Sequence, residues 1–250
     1  MFAMKVFVDE GYAASSMHAA DDLIEKVRLI KNPVICTASG DSPAGLYKQV
    51  VERVHKKQLD VSNWLFLGLD EWVGMNGSDE GSCRYHLDHQ LFQPLQIPGN
   101  RICFFDGRSG DLEGECRRIE NFIQEYHGID ATILGLGING HVGMNEPGTS
   151  AQIRSHVAEL HSTTKQVGQK YFKNEKTLTQ GLTLGLATLM ESKHIMLLVS
   201  GAHKSQITRR VFEEKISEEL PASLLRDHPD FTVYLEPASA QLMQLESQRS

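Results

Sequence analysis

Six short apolar runs alternate along this chain with longer amphipathic stretches, and that alternation constrains the fold more than any other feature. The runs are Val34–Cys36, Trp64–Leu69, Arg101–Phe105, Ala131–Leu136, Ile195–Val199 and Phe231–Leu235. Helix-like segments lie at Ala13–Ile30, Pro43–Lys57, Asp111–Tyr126 and Lys204–Ile216. In the last of these, Ile207, Val211 and Phe212 recur at helical spacing while charges take the other face. Strands that are apolar on nearly every residue belong to a sheet covered on both faces, and strands regularly separated by helices pair in parallel. The expected fold is therefore α/β: a single-domain α/β/α sandwich around a mostly parallel, Rossmann-like sheet. The 250 residues hold no repeat, low-complexity tract or Pro/Ser-rich linker, so one domain over residues 1–250 is expected.

Charge and cysteine usage narrow the partners. With 25 Lys+Arg against 32 Asp+Glu the net charge is −7, which gives no global attraction to nucleic acid or anionic membrane. Any anionic ligand must be held by a local site. Cys36, Cys83, Cys103 and Cys116 show no CxxC spacing and no clustering with histidines, so neither a metal nor a redox cofactor is expected. Unpaired cysteines suit a reducing compartment. The stretch Met1–Val6 lacks the long apolar run of a signal peptide, and no apolar run approaches the roughly 20 residues that span a bilayer. A cytoplasmic protein with a small-molecule substrate is expected, with self-association left open.

In a parallel sheet of this kind, ligands sit outside the carboxyl ends of the strands. Four strand-to-loop junctions are therefore informative. Thr37-Ala38-Ser39-Gly40-Asp41-Ser42-Pro43 combines hydroxyls, a glycine and a helix start, which is an anion seat as well as an ordinary capped turn. Asp41 there would repel a phosphate unless it points away. At Leu69-Asp70-Glu71-Trp72-Val73-Gly74 a buried run meets two acids whose side chains point to opposite faces of an extended chain, so they are not expected to act as a pair. Partial desolvation at the strand tip would make Asp70 a usable proton acceptor.

The third junction, Gly135 to Gly148, holds five glycines in fourteen residues, and with them His141 and Glu146. Such a loop permits close approach of backbone to ligand, and Glu146 is placed to hydrogen-bond the imidazole. The glycines do not complete a dinucleotide-binding GxGxxG before a helix. The fourth junction, Ser200-Gly201-Ala202-His203-Lys204, sets a lysine at a helix start, against the helix dipole; a bound anion would supply the missing negative charge.

Taken together these residues resemble a known family. Leu69–Gly74 and Gly137-Ile138-Asn139-Gly140-His141-Val142-Gly143-Met144-Asn145-Glu146-Pro147-Gly148 are similar to the two signatures of glucosamine-6-phosphate deaminases/isomerases. The likeness continues through Leu182-Thr183-Leu184-Gly185, Leu198-Val199-Ser200-Gly201 and Pro221-Ala222-Ser223-Leu224. The Asp70-Glu71-Trp72, Gly81-Ser82-Cys83 and Gly181–Gly185 segments resemble the galactosamine-6-phosphate branch somewhat more.

The resemblance implies an enzyme that opens an amino-sugar phosphate ring, isomerises it and releases ammonia, as a hydrolase acting on a C–N bond. It implies that His141 shuttles the proton of ring opening, with Asn139 and Glu146 orienting it. Asp70 would carry a proton from C2 to C1 through an enediol-type intermediate. Ser39, Gly40, Ser42, Lys170 and Lys204 would hold the phosphate. No cofactor is implied. Three residues depart from the usual pattern: Asn139 where some members carry Asp, Lys170 where an Arg is usual, and Asp41 in place of a glycine. His156 and Ala158 stand at positions that are basic in allosterically activated members, so activation of that type is not expected. Two alternatives share the fold. One is a 6-phosphogluconolactonase, which would resemble Asp-Glu-Arg where this chain has Trp72. The other is a non-catalytic sugar-phosphate sensor, which would leave Asp70, His141 and Glu146 without employment.

Overall fold

A computed structural model describes residues 4–244 of the chain; the Met1-Phe2-Ala3 part of the N-terminal expectation lies outside them. In chain order the first half comprises β1 (Lys5–Val8), α1 (Tyr12–Val27), β2 (Val34–Thr37), α2 (Asp41–His55), β3 (Leu65–Gly68), β4 (Asp70–Trp72), α3 (Cys83–Leu87), β5 (Ile102–Cys103) and α4 (Leu112–Glu125). The second half comprises β6 (Ala131–Gly135), β7 (His156–Glu159), α5 (Ser162–Gly168), β8 (Gln180–Thr183), α6 (Leu186–Met190), β9 (Ile195–Val199), α7 (Ser205–Glu213) and β10 (Phe231–Leu235), with short helical turns among them.

Seven strands form one parallel sheet in the order β1-β10-β9-β6-β2-β3-β5. Its central strands are buried at every residue, as the continuous apolar runs require. Successive side chains serve opposite layers. Val34 and Cys36 enter a core shared with α4 and α7, whereas Ile35 enters one shared with α1 and α2. That is the two-sided sandwich expected of a single-domain α/β fold.

The chain steps outward from β2 to β3 and β5, then returns to lay β6 on the other side of β2 before continuing to β9 and β10. The loops leaving β2 and β6 therefore diverge from adjacent strands. This reversal of strand order opens the crevice in which parallel sheets bind ligands.

A second, antiparallel sheet β4-β8-β7 sits beside that crevice, and no expectation from the sequence covered it. Its strands are short and interrupted by polar residues on both faces, His156 and Thr183 on one and Glu159 and Gln180 on the other, so no apolar run announces them. The sheet anchors the glycine-rich loop: Asn145 Nδ2 donates to the Leu184 carbonyl at 2.9 Å, and Met144 N–H donates to Thr183 Oγ1 at 3.1 Å. β1 also escaped the sequence, because an edge strand with Lys5 and Val8 exposed carries no continuous apolar signal. The run at Arg101–Phe105 pairs only over Ile102–Cys103. The last expected helix is shorter than its pattern: α7 starts at Ser205 and ends at Glu213, and Lys204 closes the turn before it.

Candidate active site

The four junctions converge on one cavity of about 620 Å³ at the carboxyl ends of the central strands. Ser39, Gly40, Ser42, Asp70, His141, Lys170 and Lys204 all line it. Asn139 and Glu146 do not; they contact His141 from behind the cavity wall.

His141 is positioned by a polar relay. Its Nδ1 lies 2.6 Å from Asn139 Oδ1, and Asn139 Nδ2 donates to Glu146 Oε2 at 2.8 Å. Since Asn139 presents its carbonyl oxygen, Nδ1 carries the proton and Nε2 is left as the basic nitrogen. Glu146 Oε2 itself is 3.5 Å from Nδ1, so its influence reaches the ring chiefly through Asn139 rather than by the direct bond expected from the sequence. The other Glu146 oxygen accepts from the His161 backbone at 3.2 Å. Burial would raise the Glu146 pKa, but the nearby His141 imidazole, and after it the Thr164 hydroxyl and the Asn139 amide, outweigh it and hold the carboxyl at about 2. Gly137 lies flat beneath the imidazole: a Cβ there would come within 2.4 Å of Nε2.

Asp70 and Glu71 face opposite ways, as alternation along β4 demands. Asp70 keeps some exposure, to the cavity. Burial pushes its carboxyl up to about 6, against the lowering influence of the Cys83 thiol and of His141. Glu71 is fully buried and accepts backbone N–H bonds from Trp72 at 2.9 Å, Cys83 at 2.9 Å and Arg84 at 3.0 Å, which ties β4 to the start of α3. Burial raises Glu71 to about 7, with those three donors pulling the other way. Glu71 thus holds the strand that presents Asp70.

The other end of the cavity is built for an anion. Gly40, with φ of +124°, turns the chain from β2 into α2, and Ser39 through Ala44 carry the helix start to the cavity. Ser42 Oγ lies 3.1 Å from Ser200 Oγ, joining the loops that follow β2 and β9. Gly201, with φ of +92°, donates to Glu236 Oε1 at 2.6 Å and aims the next turn so that Lys204 Nζ reaches the Leu136 carbonyl at 2.6 Å. Burial pulls the Lys204 ammonium down to about 8, and the neighbouring Lys170 adds to that pull. Lys170 Nζ lies 2.6 Å from Asp41 Oδ2. The Asp41 carboxylate thus pairs with a lysine of the same cavity end.

Sequence reasoning named Lys170, in the turn after α5, but missed Thr164 on α5 and Tyr171 beside that lysine. Thr164 Oγ1 sits 3.2 Å from His141 Nδ1, and Tyr171 lines the cavity beside Lys170. The segment is short and polar, without a periodicity that would have marked it. Cys83, also at the cavity wall, appeared in a quoted motif without a role. Among the described residues no group of three or more His, Cys, Asp or Glu is placed to hold a metal ion, and no helix is long and apolar enough to cross a membrane. All four cysteines are free and buried.

Comparison with known proteins gives a consistent picture. Residues 12–234 match the family model described as glucosamine-6-phosphate isomerases/6-phosphogluconolactonase. The chain is 37% identical over 241 residues to a glucosamine-6-phosphate deaminase from Geobacillus sp. (strain WCH70), covering 96% of each. Among solved structures it resembles a monomeric glucosamine-6-phosphate deaminase, with a TM-score of 0.92 and 34% identity over 96% of this chain and 100% of that one. It also shares a fold with a 6-phosphogluconolactonase from Trypanosoma brucei, with a TM-score of 0.75 and 17% identity over 96% of this chain and 99% of that one.

Proposed function

The chain belongs to the glucosamine-6-phosphate isomerase/6-phosphogluconolactonase family, and from that premise we propose that its cavity converts a hexosamine 6-phosphate to a ketose 6-phosphate and ammonia. The observation that carries this reading is the pairing of His141, its Nδ1 held by Asn139, with Asp70 on one cavity whose far end gathers Ser39, Gly40, Ser42, Lys170 and Lys204.

The chemistry follows from what these groups can do. A sugar anchored by its phosphate places its ring atoms toward Asp70 and His141, so binding energy is drawn from a part of the substrate remote from the reaction. Nε2 of His141 takes the O1 proton and returns it to O5, which breaks the C1–O5 bond and leaves an open-chain aldehyde. Asp70, ionised near neutrality, removes the proton from C2; the electron pair forms a C1–C2 enol as O1 takes a proton given up by the C2 ammonium, and Asp70 then returns its proton to C1. The C2 amine is thereby left as an iminium, to which water adds at C2. Ammonia departs and the ketose remains. The net breaking of a C–N bond by water is the sense in which the isomerase/deaminase is also hydrolytic. Each assisted proton transfer contributes about 10²–10⁴ in rate.

Glucosamine 6-phosphate is the substrate this reading favours. The galactosamine epimer is a second arm, favoured by Trp72 and Cys83, which come from the segments resembling that branch and both line the cavity. A 6-phosphogluconolactonase shares the fold only at 17% identity, and its chemistry has no need of a base placed for C2. The test is ammonia release and ketose phosphate formation with each hexosamine 6-phosphate, alongside lactone hydrolysis. Turnover of either amino sugar is expected. Lactone hydrolysis without ammonia release would overturn the proposal.

A further inference from the structure

Neither lysine at the anion end of the cavity is unengaged. Lys204 Nζ is spent on the Leu136 carbonyl, and Lys170 Nζ is 2.6 Å from Asp41 Oδ2. Asp41 is the first residue of α2, where the helix dipole favours negative charge, and it lines the same cavity as the two lysines. Lys170 reaches it from the turn that follows α5. Both side chains are open to solvent, 77% exposed for Asp41 and 46% for Lys170, which marks an exchangeable pair rather than a buried structural one.

We propose that Asp41 is a resident anion of the phosphate seat, and that a substrate phosphate binds by displacing the Asp41 carboxylate from Lys170. This deepens the reading of that end as a phosphate site and rests on it. Asp41 then acts as a specificity residue. A singly charged or neutral ligand gains too little from Lys170 to dislodge a tethered carboxylate, whereas a phosphate dianion brings more charge and three acceptor oxygens to Lys170, Lys204 and the serine hydroxyls. Displaced Asp41 has open solvent to move into, so exchange requires no rearrangement of the core. Since Lys170 belongs to the segment that also carries Thr164, its partner decides how that segment is tethered to α2 before and after binding.

The experiment is titration of inorganic phosphate into the full-length protein by calorimetry, for the wild type and for Asp41→Asn and Asp41→Ser. Serine keeps a hydroxyl at the helix start, so a damaged helix terminus and a lost carboxylate are told apart. Both variants are expected to bind phosphate roughly 2- to 5-fold more tightly, the range of an exposed ion pair no longer competing. In turnover assays the change is expected in KM for the hexosamine phosphate rather than in kcat. Unchanged or weaker phosphate binding in both variants would overturn the proposal and make Asp41 a support that holds Lys170 in place. Because the titration needs no turnover, tighter phosphate binding in a protein that releases no ammonia would retain the exchange and discard the deaminase reading.

Discussion

The carbonyl oxygen of Asn139 lies 2.6 Å from Nδ1 of His141, and this contact fixes which imidazole nitrogen is basic. The amide can do so because its other end is itself held, by Glu146 at 2.8 Å. An amide in this position sets the tautomer without placing a formal charge on the ring; the charge sits one residue further back, on a carboxyl held near 2.

Removing the relay should therefore cost rate rather than affinity. Asn139→Ala is expected to lower kcat about 10²-fold, the lower end of what a positioned acid or base contributes, with little change in KM. The check that separates this from general damage is the ¹⁵N shift of His141, which should report a single Nδ1–H tautomer in the wild type and a mixture in the variant. A single unchanged tautomer in the variant would remove Asn139 from this role.

Neighbouring carboxylates 70 and 71 should behave as opposites. Asp70→Asn is expected to abolish turnover by about 10²–10⁴ while leaving the protein folded. It should even stabilise it at neutral pH. Asp70 titrates near 6 when folded, above the ordinary value of 3.8, so the native state binds the proton more tightly and stability falls as pH rises through that window. Losing the charge returns up to about 3 kcal/mol above pH 6 and nothing below pH 4. Glu71→Ala, in contrast, strands two buried N–H donors and a third that is partly buried, and should destabilise by on the order of 3 kcal/mol. Thermal melts at pH 4 and pH 7.5, run on both variants, distinguish the two cases.

The pH profile of kcat/KM should be bounded by groups at opposite ends of the cavity. Asp70 must be ionised to accept a proton, so activity rises as pH climbs through about 6. Lys204 must be protonated to hold an anion, so affinity declines above about 8. The alkaline limb should appear in KM and vanish in Lys204→Met, which raises KM at every pH; the acid limb should survive that substitution. An alkaline limb that persists in Lys204→Met would assign it to another group.

The parts of this arrangement that were legible in the sequence are those that burial writes as continuous apolar runs. Val34–Thr37, Ile195–Val199 and Phe231–Leu235 are covered on both faces, so every residue speaks for the strand. Lys5–Val8 and His156–Glu159 are only partly covered, and Gln180–Thr183, though buried from Gly181 to Thr183, has Leu182 as its one large apolar residue, so four residues leave too few informative positions. In the site, loops that follow buried strands were findable because their position in the fold is forced. The Asp41–Lys170 contact was not, since 129 residues separate the partners and only the closure of the turn after α5 over α2 brings them together. Asn139 was named through the family resemblance and not through spacing. Spacing places Glu146 within reach of His141, but the glycine-rich loop folds the amide between them.

Gly137 provides the sharpest test of how finely the imidazole is placed. Its N–H donates to the His141 carbonyl at 2.9 Å, so the backbone there is pinned at the residue whose ring it underlies. A methyl group at position 137 would meet Cε1 and Nε2 at 2.4 Å and Cδ2 at 2.5 Å, well inside contact distance. With the backbone held, the ring must yield, and turning it pulls Nδ1 from Asn139 and moves Nε2 within the cavity. Gly137→Ala is expected to lower kcat by about 10²-fold or more and to destabilise by about 1–3 kcal/mol from overpacking, while inorganic phosphate binding at the far end of the cavity is retained. Near-normal kcat in this variant would mean that the rate does not depend on where the imidazole sits, and the proton shuttle would then have to be sought in a group other than His141.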